Sequence, residues 1–409
     1  MTETKTAPVP DFLTMCAGWH KLVQNAQTFH RLLHTEADIA QTPKSCIWTL
    51  NKAKLFHYTP VKPAAERKPI PLLLVFAIMN RPHVLDLRPG HSFVEYMLNK
   101  GYDIFLLDWG IPGYEDQHLK FDHYALEYLP RVVRKLKSYT GASEFSMLGW
   151  CLGALISTLY ASLRPDDGLK NLVLLTAPLD FADKSAGGFS RWTQASTFNA
   201  DQIVETFGNV PGEMIDTGAK MLKPVENFVG TYVSLWDNIE NESTTEAWHA
   251  MNSWVRDIIP MAGAAYQQLI NDFYKANRLM EGTLVIRGEK VELSKLTASV
   301  LNVIAEADHI TPPCQSERVM ELIGSADKDF HRVRGGHRLG GGAVDRRSRG
   351  PLSCAAPGDA LELQHLSREL TCGRISLPLS HGWRCWRALP PRNSSTRRPI
   401  RNGRCRRSA

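Results

Sequence analysis

Residues 145–164 read FSMLGWCLGALISTLYASLR: a short apolar run, two glycines set two positions either side of Cys151, and a helix-like stretch that Pro165 stops. A strand that becomes a helix within three residues must bring its own main chain into close approach. Glycine two positions before and after the apex permits this because it has no Cβ. The apex residue, Cys151, is pushed out of the sheet at a helix N-terminus, where partial positive charge favours a thiolate. From that position the amide of Leu152 is directed toward an oxygen that becomes negative during reaction. The pattern is a nucleophile elbow with cysteine where serine is usual. A small buried cysteine between incidental glycines is the plainer alternative, but the strand before and the helix after favour the nucleophile.

The same alternation of short apolar runs and amphipathic segments recurs through most of the chain and predicts an α/β fold, a mostly parallel sheet with helices on both faces. Strands are expected at 72–77, 103–107, 145–148, 172–175, 300–304 and 330–333, and helices at 93–99, 123–139 and 152–163. Residues 1–70 read as helical and extended pieces preceding the core, closed by the Pro-rich link TPVKPAAERKPIP. Residues 71–178 and 283–337 read as the two parts of the core. Between them, 179–282 holds Trp192, Trp236, Trp248 and Trp254 and no convincing strand. It is expected to form a helical cap over the carboxyl edge of the sheet, where open α/β sheets bind ligands.

A cysteine thiol is only partly ionised at neutral pH and gains from a base, and on this fold an acid and then a histidine follow the nucleophile in chain order. Asp308, in VLNVIAEADHITPP, is the acid candidate, and His337, in HRVRGGH, is the base. His309 is a weaker rival for the base, and His331 reads as a packed strand residue. Asp108 ends a strand in IFLLDWG, but it precedes the nucleophile and is expected to cap a turn. The second oxyanion donor is expected in FAIMNRP, the loop after the first core strand, with Ile78 the chosen amide.

With 409 residues the chain can bury a full core, and no apolar run reaches the length of a membrane crossing. The N-terminus has neither the charge nor the apolar block of a signal peptide, which points to the cytoplasm. Of eight cysteines none forms a CxxC pair, so neither a zinc site nor a disulfide framework is expected. The formal net charge of +6 is uneven: residues 338–409 carry fifteen arginines, no lysine and four acids, a balance of +11, which leaves −5 for residues 1–337. The body therefore lacks the basic footprint of a specific nucleic-acid binder.

Taken together, FAIMNRPHVLDLRPG, GYDIFLLDWG, GWCLGA, LLTAPLDF, ADHITPP and RGGH resemble polyhydroxyalkanoate synthases, specifically the catalytic subunit of the two-subunit class III enzymes, on the α/β-hydrolase fold. The resemblance spans residues 1–337. It implies polymerisation of (R)-3-hydroxyacyl-CoA, with 3-hydroxybutyryl-CoA the expected substrate, through an acyl thioester on Cys151, with Asp308 as the acid and His337 as the base. It further implies no cofactor beyond the CoA thioester itself, a growing polyester chain, a companion non-catalytic subunit, a homo- or hetero-oligomer, and a place on the surface of cytoplasmic polyester granules. Two alternatives stay open. One is a cysteine thioesterase or dienelactone-type hydrolase, and the other is an inactive granule-associated remnant. Arg81 and Arg88 are candidate CoA contacts by loop position, with a structural ion pair the competing role for each.

The resemblance stops after His337. Residues 338–409, rich in Arg, Ser, Pro and Cys and without sustained periodicity, suit disorder, or translation in a shifted frame near codon 338. Translating the other two frames of the gene beyond that codon checks the second idea: one of them is expected to encode an apolar, helix-forming terminus.

Overall fold

The computed structural model describes residues 12–183 and 187–334 of the chain. His337 and the Arg-rich segment 338–409 lie outside the described residues. An eight-stranded sheet organises the rest: β1 (Lys44–Leu50), β2 (Ala53–Tyr58), β3 (Leu72–Val75), β4 (Ile104–Asp108), β5 (Phe145–Trp150) and β6 (Leu169–Leu175) are followed by a small separate hairpin, β7 (Val285–Ile286) with β8 (Glu289–Lys290), and then by β9 (Ser299–Ala305) and β10 (Lys328–Val333). The order across the large sheet is β1-β2-β4-β3-β5-β6-β9-β10. All pairings from β4 through β10 are parallel, whereas β2 joins β4, and β1 joins β2, antiparallel.

Every residue of β3 (LLLV) and β4 (IFLLD) is buried. Such near-continuous apolar runs belong to strands covered on both faces, as parallel strands with crossover helices must be. The covering helices include Phe93–Asn99, the run from Phe121 to Thr140 with a π turn at Tyr124–Tyr128, and Leu152–Leu163. The Ser92 side chain caps the first by accepting from the Glu95 amide at 3.1 Å. Gly141, at φ +73°, ends the second in the left-handed conformation. All twelve residues of Leu152–Leu163 are buried, and two of its hydroxyls bond back within the helix, Ser157 donating to the Gly153 carbonyl at 2.7 Å and Thr158 to that of Ala154 at 2.8 Å.

The six expected core strands are all present, with ends shifted by up to three residues. The structure corrects the reading of residues 1–70 as a preface to the core, because β1 and β2 extend the sheet itself. Their hairpin turns at Asn51-Lys52, with Asn51 at φ +51°, and that pair lacks the Asn-Gly signature by which such a turn is recognised. Ala53, Leu55 and Tyr58 are buried in the main core.

The stretch from Gly187 to Lys275 is a succession of helices; an isolated bridge between Val210 and Met261 ties it internally, and one between Asn80 and Ile258 joins it to the segment after β3. Its tryptophans divide: Trp254 belongs to the main core, Trp248 packs with Leu32, Leu235 and Ile239 in a small second core under the N-terminal helix Phe12–His34, and Trp192 and Trp236 are exposed.

Phe105, fully buried on β4, stacks on His57 at 4.5 Å and meets the edge of Tyr139 at 6.0 Å. Phe105→Ala is expected to destabilise the fold by about 3–5 kcal/mol, seen as a lower urea midpoint at unchanged slope.

Candidate active site

Because β3, β5, β6, β9 and β10 run parallel, their carboxyl ends share one edge. Of the sequence-predicted residues, Cys151, Leu152, Ile78 and Asp308 follow these strands, and His337 lies outside the described residues. Cys151 follows the last residue of β5 and precedes the helix Leu152–Leu163, with φ +55° and ψ −123°. That backbone conformation is strained for any side chain other than glycine, and such strain gathers at functional sites. It is held on both sides. The Cys151 amide donates to the Leu175 carbonyl on β6 at 2.9 Å, and the Cys151 carbonyl accepts from Ala154 and Leu155 at 2.9 and 3.3 Å.

The two glycines have separate reasons. A Cβ at Gly149 would stand 2.5 Å from the Ala154 Cα, so strand and helix could not cross there. A Cβ at Gly153 would enter the main chain at the end of β3, 2.7 Å from the Phe76 carbonyl carbon. The second contact is tertiary: it seats the elbow against the loop that follows β3.

Cys151 is half-buried, with its sulfur at the N-terminus of the helix. The first intrahelical bonds come from Ala154 and Leu155, so the amide of Leu152 precedes the helical ladder. Leu152 and Ile78 are both buried. Ile78 and Met79 form a turn after β3, and among the described residues nothing accepts a hydrogen bond from the Ile78 amide.

Asp308 lies three residues past β9 and is buried. Its Oδ1 accepts from the amides of Ile310 and Thr311, each at 2.9 Å, and its own amide donates to the Ala305 carbonyl at 3.1 Å. These bonds fix the carboxylate in one orientation. Only β6 separates β5 from β9, which places the two loops about 10 Å apart at the level of the strands.

Tyr274 reports that the two groups share a neighbourhood. Burial, first, and then the charges of Cys151, Tyr266 and Asp308 hold its phenol well above the usual range, so it stays protonated. Its ring packs between Phe181 at 4.1 Å and Phe189 at 5.2 Å. Sequence reasoning missed Tyr274. AAYQQLINDFYKANRLM shows only a helical pattern, and the π turn Leu269–Lys275 that carries this tyrosine has no sequence signature.

Asp108 caps a turn, its Oδ1 accepting from the Gly110 amide at 2.9 Å, and its Oδ2 accepts from the Arg81 guanidinium at 2.9 Å. Arg88 pairs with Glu246 at 3.3 Å. Both arginines named as CoA contacts thus make ion pairs within the protein. His309 and His331 are half-buried, the latter within β10. His337 would begin four residues past the end of β10, outside the described residues.

A sulfur at a strained apex and a helix N-terminus is an arrangement suited to covalent acyl transfer. Comparison with known proteins bears on this geometry. A family described as poly-beta-hydroxybutyrate polymerase (PhaC) N-terminus matches residues 16–97, and the alpha/beta hydrolase fold family matches residues 83–339. The chain is 34% identical to the poly(3-hydroxyalkanoate) polymerase subunit PhaC of Allochromatium vinosum, covering 76% of this chain and 87% of that one. It is 36% identical to the protein of the same name from Haloferax mediterranei, over 78% of this chain but 63% of the relative. The corresponding subunit from Haloarcula marismortui is 34% identical over 75% of this chain and 65% of its own length. The chain thus spans a little under two thirds of its haloarchaeal relatives.

The strain at the apex gives a prediction that does not depend on activity. Cys151→Gly accepts φ +55° without a Cβ and is expected to raise stability by about 1 kcal/mol, read as a higher thermal midpoint. An unchanged or lower midpoint would show that the turn is relaxed with cysteine in place.

Proposed function

The chain belongs to the PhaC family of poly(3-hydroxyalkanoate) polymerase subunits, on the α/β-hydrolase fold, and we propose that it polymerises (R)-3-hydroxyacyl-CoA into polyester through a thioester on Cys151. The observation that carries this reading is the half-buried Cys151 at a strained elbow with the buried, orientated Asp308 on a loop two strands away at the same sheet edge.

The chemistry explains a thiol at the apex. Cys151 sulfur attacks the carbonyl carbon of the CoA thioester, the carbonyl oxygen becomes an oxyanion facing the amides of Leu152 and Ile78, and the bond to CoA sulfur breaks as CoA leaves with a proton. Exchange of one thioester for another changes the free energy little, so the acyl group stays activated. The 3-hydroxyl of another unit then attacks, its proton passing to the base, and an ester bond forms as a sulfur is released. His337 is the base in this scheme and Asp308 orientates it. A serine ester at the same apex would be a poorer acyl donor.

A growing polyester is insoluble in water and remains attached to the enzyme that extends it, so the chain is proposed to work at the surface of its own product. The relatives' names mark them as subunits. A companion subunit is proposed for this chain as well, and 3-hydroxybutyryl-CoA as its substrate.

The test supplies the full-length chain, with and without a companion subunit, with 3-hydroxybutyryl-CoA. CoA release with insoluble polymer is expected, and Cys151→Ala is expected to lower the rate by about 1,000-fold or more. CoA release with only free hydroxyacid would indicate a thioesterase-type hydrolase instead. Undiminished release from Cys151→Ala would remove the cysteine from the mechanism.

A further inference from the structure

The loop that follows β3 is held at both ends by tryptophan. At its start the Trp109 indole donates to the Phe76 carbonyl at 2.9 Å; at its end the Trp254 indole donates to the Arg81 carbonyl at 2.7 Å. Trp109 follows β4 directly, whereas Trp254 lies far along the chain on the helix Glu242–Arg256. Between these two bonds lie the Ile78-Met79 turn and Asn80, which bridges to Ile258 of the same distant segment. The Arg81 side chain is fixed separately on Asp108. Phe76, at the head of the loop, meets the edges of Trp150 at 5.5 Å and Trp254 at 6.3 Å, which links the elbow, the loop and the helical segment in one aromatic chain.

We propose that Trp254 is a positioning residue whose indole N–H sets the loop carrying the Ile78 amide, so that the helical insertion fixes the second oxyanion donor. The inference rests on the acyl-transfer reading given above. A donor stabilises an oxyanion only when it is already in place. The Gly153 contact seats the head of the loop at Phe76, but the turn beyond has no regular ladder of its own, so its position depends on the bonds at its far end. Trp254 acts through the loop and touches no reacting atom.

Two reagents on the same thiol test this. Iodoacetamide alkylates Cys151 by displacing iodide at a tetrahedral carbon, forming S–C and breaking C–I without an oxyanion. 3-Hydroxybutyryl-CoA acylates it through one. Trp254→Phe keeps the ring against Phe76 and removes the N–H. First-turnover CoA release is expected to slow by about 10- to 100-fold, with half-saturation and the alkylation rate changed by less than about twofold. Equal slowing of both reactions, or none in acylation, overturns the proposal. Trp254→His, which retains a ring N–H, serves where the phenylalanine variant does not fold. Its ratio of acylation to alkylation is expected near that of the wild type, and a ratio lowered about tenfold or more overturns the proposal. If mass spectrometry finds no acyl group on Cys151 of the wild-type chain, the acyl-transfer reading falls and takes this inference with it.

Discussion

The close approach of main chains at Gly153 is the constraint on which the site depends. The first turn of the helix Leu152–Leu163 lies against the end of β3 with no room for a Cβ, so the elbow and the post-β3 loop are fixed relative to each other by backbone contact. Backbone against backbone leaves little freedom to adjust, unlike contact between flexible side chains. The strain at Cys151 can persist because hydrogen bonds on both sides and the all-buried helix beyond hold the apex in place.

Around this fixed point the other groups arrive by topology. Parallel strands deliver all their carboxyl ends to one edge, so Asp308 and the end of β10 come to the elbow's side of the sheet although they are more than 150 residues away in sequence. The helical segment after β6 closes on the same edge through Trp254 and Ile258, and Tyr274 stands where the fields of Cys151 and Asp308 overlap. The N-terminal helix is bound into this arrangement too, since Leu32 packs with Trp248 rather than with the main core.

Much of this was legible in the chain itself. The buried strands announced themselves as unbroken apolar runs, and the elbow by the spacing of its glycines, because both are local patterns imposed by burial and by the missing Cβ. The β1–β2 hairpin escaped because its turn lacks a signature and its strands, β1 at the sheet edge and β2 next to it, are only partly buried and so show mixed rather than clean periodicity. Asp108 and Arg81 were each understood singly, as a turn cap and as one half of an ion pair, but the sequence gives no sign that they pair with each other across 27 residues.

The tryptophans show where sequence reasoning stops. The four that fall in one stretch of sequence part company in space: Trp254 joins the main core, Trp248 a second core, and Trp192 and Trp236 are exposed. The sequence by itself determined the parallel sheet, the thiol at its bend and the residue types that can serve it, because these follow from local periodicity and from what glycine alone permits. Only the tertiary structure decided which distant side chains meet at that bend: that Tyr274 shares the neighbourhood of Cys151 and Asp308, and that an indole from the helical segment grips the loop after β3. Such meetings are set by how helices pack across the sheet edge, and the pattern of one helix does not specify what its neighbour presents to it.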